Sequence, residues 1–422
     1  MGFLAGLAEE RVDHRFKGLP PHAEGLTVGE LAAQRRNLFT DGFTTPVLAL
    51  SAERLEHNLA LMETYATRHG LAFAPHGKTT MAPALFARQL DHGAWGITLA
   101  VPHQVRVARA FGVERIFLGN ELVDAAALQW IAAELARDAA FRFICYVDSV
   151  RGVELMDAAL TGAPRPVDVV VELGAGEGAR TGARTEADCT AVADAVAATR
   201  TLRLVGVAGY EAEVPGATPE RVTAWLRRLT ALAAEFDRAG RFSGAGLDEI
   251  VVSAGGSAWF DAVAEVFADI PELSLPVLKL LRSGAYVSHD DGQYRRVTPF
   301  NRIPEEGALH PAFRLWAQVV SRPGPGQAFV NAGKRDAAHD LDLPEAQVVR
   351  AADGTERPAT GIEVTALSDQ HAWLRTGPGV ELEVGDWVGL GLSHPCTSFD
   401  KWPLIPLVEA DGTVVDYIRT YF

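Results

Sequence analysis

Leu71-Ala72-Phe73-Ala74-Pro75-His76-Gly77-Lys78-Thr79 sets a lone lysine a few residues after a short apolar run. Four small or apolar residues stopped by a proline read as a brief strand, and the same kind of run recurs along the chain. Upstream, Thr45-Pro46-Val47-Leu48-Ala49-Leu50 is strand-like. Ser51 then caps a helix whose Leu55, Leu59 and Met62 keep helical spacing, with Glu53 in a first turn where an acid suits the helix dipole. Downstream, strands at 71–74, 96–100, 115–118, 141–147, 167–173, 202–208, 250–253 and 277–282 alternate with helices at 83–92, 102–111, 124–137, 150–159, 186–199, 219–239 and 259–267. Short apolar strands separated by helices imply parallel strands covered on both faces. Eight or nine such units over about 250 residues predict a (β/α)8 TIM-type barrel rather than an open sheet.

After residue 300 the pattern changes. Segments 313–321, 327–331, 361–366, 371–375, 386–390 and 414–420 read as strands, with turn signals at Arg322-Pro323-Gly324, Asp353-Gly354, Gly377-Pro378-Gly379 and Asp411-Gly412. The chain is therefore read as α/β: an N-terminal arm (1–43) packing on the β domain, a barrel (44–300) and a C-terminal, mostly β domain (301–422). A net charge of −15 disfavours nucleic acid and anionic membranes as partners. Three cysteines, Cys145, Cys189 and Cys396, do not make a disulfide framework. No stretch reaches the length of a membrane span, and the first residues lack the pattern of a signal peptide. A soluble cytoplasmic protein is expected.

In a β/α barrel the working residues sit past the C-terminal ends of the strands. Lys78 is so placed, and a partly desolvated lysine there has a lowered pKa and can condense with an aldehyde. Arg180-Thr181-Gly182 lies in a Gly-rich loop after strand 167–173, free to approach an anion. Tyr210, past strand 202–208, offers a flat apolar face with a polar tip. Ser253-Ala254-Gly255-Gly256-Ser257 leads from a strand into a helix, where close backbone approach and a helix N-terminus favour a phosphate. Arg282-Ser283-Gly284-Ala285-Tyr286 ends the last strand, so Gly284 and Ala285 can add backbone N–H groups. Far away, His394-Pro395-Cys396 offers imidazole and thiolate two residues apart, on one side of an extended segment. That donor pair suits zinc in an open catalytic site.

Taken together, Thr45-Pro46-Val47, Asn58, Met62 and Pro75-His76-Gly77-Lys78-Thr79 resemble the pyridoxal-phosphate enzymes of the alanine-racemase barrel type (fold type III), over about residues 44–405. The nearest branch is that of D-serine dehydratase, D-threo-3-hydroxyaspartate dehydratase and D-threonine aldolase. The resemblance implies that Lys78 is the Schiff-base lysine and Arg180 lies near the cofactor's phenolic oxygen. Tyr210 would pack on the pyridine, Gly256, Ser257, Gly284 and Ala285 would hold the phosphate, and Arg282 would face the pyridine nitrogen. Ser283 replaces the family's usual proline. His394 and Cys396 would bind Zn2+ or another divalent metal, and Cys396, where the aldolases tend to carry an acid, favours a dehydratase. The implied reaction turns a D-3-hydroxy amino acid such as D-serine into a 2-oxo acid and ammonia, in a homodimer. The rivals are an aldolase giving glycine and an aldehyde, a racemase, and a cofactor-binding protein of the same barrel. His76, Thr79, Gln104, Asp400, Lys401 and the string Gly333-Lys334-Arg335-Asp336 receive no firm role.

Overall fold

A computed structural model describes residues 5–242, 244 and 246–422. The first four residues of the N-terminal arm lie outside them. The chain forms two compact units, one a barrel and one rich in antiparallel strands.

Strand β1 (Val47–Ser51) belongs to the β-rich unit. The barrel is built from β2 (Ala72–Phe73), β3 (Ile97–Leu99), β4 (Arg115–Glu121), β5 (Arg142–Val147), β6 (Val167–Leu173), β7 (Leu202–Gly209), β8 (Ile250–Ala254) and β9 (Val277–Leu281). Neighbours pair in parallel in the order β2-β9-β8-β7-β6-β5-β4-β3. The two ends of that order meet. Trp95 N donates to Phe73 O at 2.7 Å, Thr98 N to Pro75 O at 2.8 Å and Thr98 Oγ1 to Ala74 O at 2.6 Å, with a parallel bridge between His76 and Thr98. The expected TIM-type barrel is borne out. Its eight strands are β2 to β9, so the stretch 44–300 gives its first strand to the other sheet.

The barrel interior is a closed apolar core of Ala74, Phe117, Ile144, Tyr146, Val170, Val205, Ala208, Val251 and Leu280. Burial of each large side chain contributes about 1.5–3 kcal/mol. Outside, the helix Pro219–Arg238 shows how the sequence covers the sheet. Thr218 caps it, and Val222, Trp225, Leu226, Leu229, Leu232, Ala233 and Phe236 form one buried stripe. Thr185 and Asp188 form a reciprocal capping box on the helix Glu186–Ala197. At the N-terminal ends of the strands, a cleft of about 600 Å³ is lined by paired charges. Arg203 Nε donates to Asp168 Oδ1 at 2.7 Å, and Arg142 pairs with Glu249. That end of such a barrel serves stability.

The β-rich unit is completed by β10 (Phe313–Gly324), β11 (Gln327–Val330), β12 (Glu345–Arg350), β13 (Glu356–Pro358), β14 (Ile362–Leu367), β15 (Ala372–Thr376), β16 (Trp387–Gly391), β17 (Leu404–Val408) and β18 (Val414–Arg419). Its main path runs β13-β12-β16-β10-β1-β17-β18, with β11, β15 and β14 branching from β10. The arm packs on this sheet: Val12, Phe16, Leu19, Leu31 and Phe43 share a core with Val47, Trp316, Leu404 and Tyr417. The sequence reading omits β12, β13 and β17. The first two are polar strands with half-exposed residues, and the third carries Pro406.

Gly206 marks the tightest point of the barrel wall, because a Cβ there would collide with the Val251 carbonyl oxygen on β8. Gly206→Ala is expected to lower stability by about 1–3 kcal/mol. Chemical denaturation checks this, and an unchanged midpoint would contradict it.

Candidate active site at the barrel mouth

The mouth takes its charge from residues that follow the strand ends. Past β2, a 3-10 turn spans Gly77–Thr79. His76 senses the cations there. Desolvation holds its imidazole well below the ordinary range, and the charges of Lys78, Arg282 and Arg180 push it the same way. Three of the predicted site residues thus act on one ring. Arg282, 2 % exposed, is fixed by Nε donating to Ser253 Oγ at 2.8 Å and Nη2 to Gly209 O at 2.6 Å. Its guanidinium carbon stands 5.3 Å and 5.5 Å from the centres of the Phe117 and Tyr146 rings, a cation–π floor. Arg180 pairs with Glu213 and lies 5.5 Å from the centre of the Tyr210 ring.

The glycine turn after β8 packs as a cradle. A Cβ at Gly256 would meet Tyr210 Cε2 at 2.6 Å, so the ring lies directly against that glycine. Gly255 has φ +108°. The amides of Gly255 and Gly256 donate to the buried carboxylate of Glu211 at 2.8 Å and 2.6 Å. The Gly256 N–H, expected on a phosphate, is thus held by an acid of the chain itself. Ser283 Oγ reaches Ser257 Oγ at 3.2 Å, a link that proline could not make. Gly284 ends the barrel unit, and Ala285 opens a buried 3-10 turn in the other unit. Gln104 accepts from Ala100 N at 2.9 Å and so shapes its own helix start.

An acidic side of the mouth was not read from the sequence. Glu121 on β4, Asp148 after β5 and Glu172 on β6 each bring a ligand atom within 4.8 Å of the others. Asp148 also accepts the Gly182 amide at 3.2 Å and steadies the Arg180 loop. Burial first, then the Glu121 charge, push the Glu172 carboxyl up to about 9. The sequence reading stopped β4 at residue 118, whereas the strand continues through a register shift to Glu121. Parallel strands adjacent only in the fold bring the three acids together, and no local signal announces it.

These residues fit pyridoxal phosphate. His76 Nδ1, Glu121 Oε1, Tyr146 OH and Glu172 Oε2 are buried without a hydrogen-bond partner among the described residues. Such orphans cost about 1–3 kcal/mol each, and a polar ligand or its waters would satisfy them. The cations suit the cofactor's phosphate and phenolic oxygen, and the glycine cradle admits a flat ring beside Tyr210.

The β-rich unit holds the second predicted pair. The segment is not extended. His394 has φ +53°, and Cys396 opens the helical turn Cys396–Phe399. A hydrogen bond still joins the two side chains, and with the Cys396 charge and Asp340 it pushes His394 up to about 9. Thr79 Oγ1 lies 3.4 Å from Cys396 Sγ. Imidazole and thiol in contact fit a borderline-soft divalent metal such as zinc.

Comparison with known proteins supports the family and the fold. The family model described as "Alanine racemase, N-terminal domain" matches residues 50–265, and that described as "Putative serine dehydratase domain" matches residues 312–408. The chain is 29 % identical to a D-threonine aldolase of Arthrobacter sp over 374 residues, covering 88 % of this chain and 90 % of that protein. It is 26 % identical to the D-threo-3-hydroxyaspartate dehydratase of Delftia sp. (strain HT23) over 404 residues, covering 89 % and 97 %. Its fold matches the crystal structure of D-threonine aldolase from Filomicrobium marinum with a TM-score of 0.74, at 24 % identity and coverage of 90 % and 95 %. The chain belongs to the alanine racemase N-terminal-domain family. The resemblance to fold-type III pyridoxal-phosphate enzymes is borne out, and with it the class, a pyridoxal-phosphate-dependent lyase. Among the described residues no helix is long and apolar enough to cross a membrane.

Glu172 gives the fold a pH dependence of known sign. Between its ordinary 4.5 and about 9, the folded state keeps a proton that the unfolded chain has released. Stability therefore falls as pH rises through that window. Thermal midpoints from pH 5 to 9 should drop less for Glu172→Gln than for the wild type, and parallel curves would contradict the assignment.

Proposed function

We propose that this protein is a pyridoxal-phosphate- and metal-dependent dehydratase that converts a D-3-hydroxy amino acid, such as D-serine, into a 2-oxo acid and ammonia. The observation that carries the reading is the gathering of Lys78, Arg180 and Arg282 around His76, beside a glycine cradle capped by Tyr210. When bound, pyridoxal phosphate supplies an electron sink for the α-carbon, and a divalent metal supplies a Lewis acid for the β-hydroxyl. Lys78 would hold the cofactor through Nζ, and the same atom would take the α-proton. Tyr210 orients the ring by packing on it. Arg282 presents only N–H donors, so facing the pyridine nitrogen it would not protonate it. Ser257, Gly284 and Ala285 would bind the phosphate end, with Gly256, its N–H held by Glu211, only lining the cradle, and Arg180 would bind the phenolic side. His394 and Cys396 bind the metal. Loss of the β-hydroxyl as water, then hydrolysis, gives the products. The reading includes a homodimer in the cytoplasm.

A D-threonine-type aldolase is the second reading, favoured by the higher identity to the Arthrobacter enzyme. It uses Lys78 and the metal pair in the same way but breaks the Cα–Cβ bond. A racemase would leave the His394–Cys396 pair without work.

Incubating the loaded enzyme with a panel of D-3-hydroxy amino acids decides between them. A 2-oxo acid with ammonia is expected, and glycine with an aldehyde would move the reading to the aldolase. Lys78→Ala should lower turnover by about 10²–10⁴-fold from loss of the base alone. Cys396→Ala and chelation should suppress elimination while the cofactor absorbance band persists. Undiminished turnover after complete metal removal would end the metal's proposed role.

A further inference from the structure

His394 is held from two directions by carboxylates that the reaction scheme does not use. Its backbone N–H donates to Asp290 Oδ2 at 2.9 Å. Asp290 is 1 % exposed, and its other oxygen accepts the amides of Gly292, Tyr294 and Arg295 at 3.1, 2.8 and 3.2 Å. This anchor holds His394 at φ +53°, a left-handed conformation uncommon for a residue with a side chain. Asp340, fifty-four residues earlier in the chain, holds the ring. Its Oδ2 lies 2.5 Å from His394 Nδ1, and its Oδ1 accepts from Thr397 Oγ1 at 2.8 Å.

We propose that Asp340 is a positioning residue for the metal: it takes the Nδ1 proton of His394 in a hydrogen bond and so leaves Nε2 as the metal-binding lone pair. The inference rests on the reading of His394 and Cys396 as metal ligands. A neutral imidazole carries one N–H and one lone pair, and the partner of the first nitrogen decides where the lone pair sits. Both oxygens of Asp340 are engaged, one by the ring and one by the Thr397 hydroxyl, so the carboxylate orients the ring rather than ligating the metal itself. Thr397 in turn fixes the plane of that carboxylate. The Asp290 anchor sets where the imidazole starts, and the Asp340 contact sets how it is turned. A histidine placed only for packing requires neither the left-handed backbone nor the paired acids. A carboxylate behind a ligating imidazole also raises its basicity, and removing such a partner typically weakens metal binding about 10–100-fold.

The test uses the full-length enzyme with pyridoxal phosphate bound. Zn2+ affinity is measured by competition with a chromogenic chelator for the wild type, Asp340→Ala, Asp340→Asn and His394→Ala. Asp340→Ala should bind Zn2+ about 10–100-fold more weakly. Asp340→Asn, which keeps an acceptor for Nδ1–H, should recover part of that loss, and the cofactor absorbance band should not move in either. With Co2+ in place of Zn2+, the thiolate-to-metal charge-transfer band should persist in Asp340→Ala, as it must if Cys396 still ligates and Asp340 never did. Zn2+ affinity of Asp340→Ala within twofold of the wild type overturns the proposal, as does a changed cobalt coordination number. Should Asp340→Ala fail to fold, wild-type affinity in Asp340→Asn together with an unchanged cobalt spectrum for Thr397→Val overturns it instead. A wild type whose metal affinity is no better than that of His394→Ala refutes the metal-pair reading on which the inference stands, a result distinct from the others.

Discussion

A strand of two residues closes the barrel, and the site depends on it. β2 pairs with β9 on one side. On the other, Trp95 and Thr98 hold the backbone at Phe73, Ala74 and Pro75. Hydrogen bonds from both flanks leave the chain little freedom where it turns out of the sheet, and that is where His76 and Lys78 emerge. A lysine on an open loop would lose about 1–2 kcal/mol of backbone entropy per residue on being ordered for reaction. Here the closure of the barrel has already fixed the backbone up to the turn.

The second constraint is charge in a confined space. Arg282 sits almost fully buried at the mouth, beside an aromatic floor and within reach of Glu172, Glu211 and Tyr146 electrostatically. Glycines make the room. Gly209 offers its carbonyl, and a Cβ at Gly119 would come within 3.3 Å of Arg282 Nη1. Glu211 plays a complementary part. Burial raises its pKa, while the amides of Gly255 and Gly256 draw it back, so that the cradle and the carboxylate define each other. In so dry a place each of these interactions is stronger than in water, and each unpaired group costs more. The mouth therefore carries cations on the side of β2, β9 and the Arg180 loop and acids on the ends of β4, β5 and β6.

This division also explains what was legible in the sequence. The barrel could be read because parallel strands buried on both faces are apolar runs, which β6 (Val-Asp-Val-Val-Val-Glu-Leu) and β8 (Ile-Val-Val-Ser-Ala) display plainly. β12 and the edge strand β13 were illegible because such half-exposed strands carry Glu, Gln, Arg and Pro. Lys78, Arg180 and Arg282 were legible because each stands in a distinctive glycine-containing string. Glu121, Asp148, Glu172 and Glu211 were not, because an acid at a strand end looks like an ordinary turn or cap residue. Only the order of strands in the closed sheet makes neighbours of them. Asp340 was hidden for the same reason, since nothing local ties it to His394. The extended geometry expected for His394-Pro395-Cys396 failed because the buried Asp290 pins His394 in the left-handed region, and the two side chains meet through a turn instead.

The choice between dehydration and carbon–carbon cleavage turns on the proton of the substrate hydroxyl. Elimination needs that oxygen to gain a proton as it leaves, and cleavage needs it to lose one. A metal on the proposed His394–Cys396 pair would serve both, because a Lewis acid weakens the C–O bond and acidifies the O–H alike. Its presence therefore does not discriminate. The protonation states at the barrel mouth do. Desolvation and three cations keep His76 neutral and oppose its taking up a proton, while burial and Glu121 keep Glu172 protonated, able to give one. The mouth thus offers an acid at neutral pH but disfavours a histidine base, set by environment rather than by residue type. Which reaction runs depends on the group toward which the bound substrate turns its β-carbon, and so on the contacts that fix the substrate's carboxylate and side chain rather than on the machinery that the aldolases and dehydratases share.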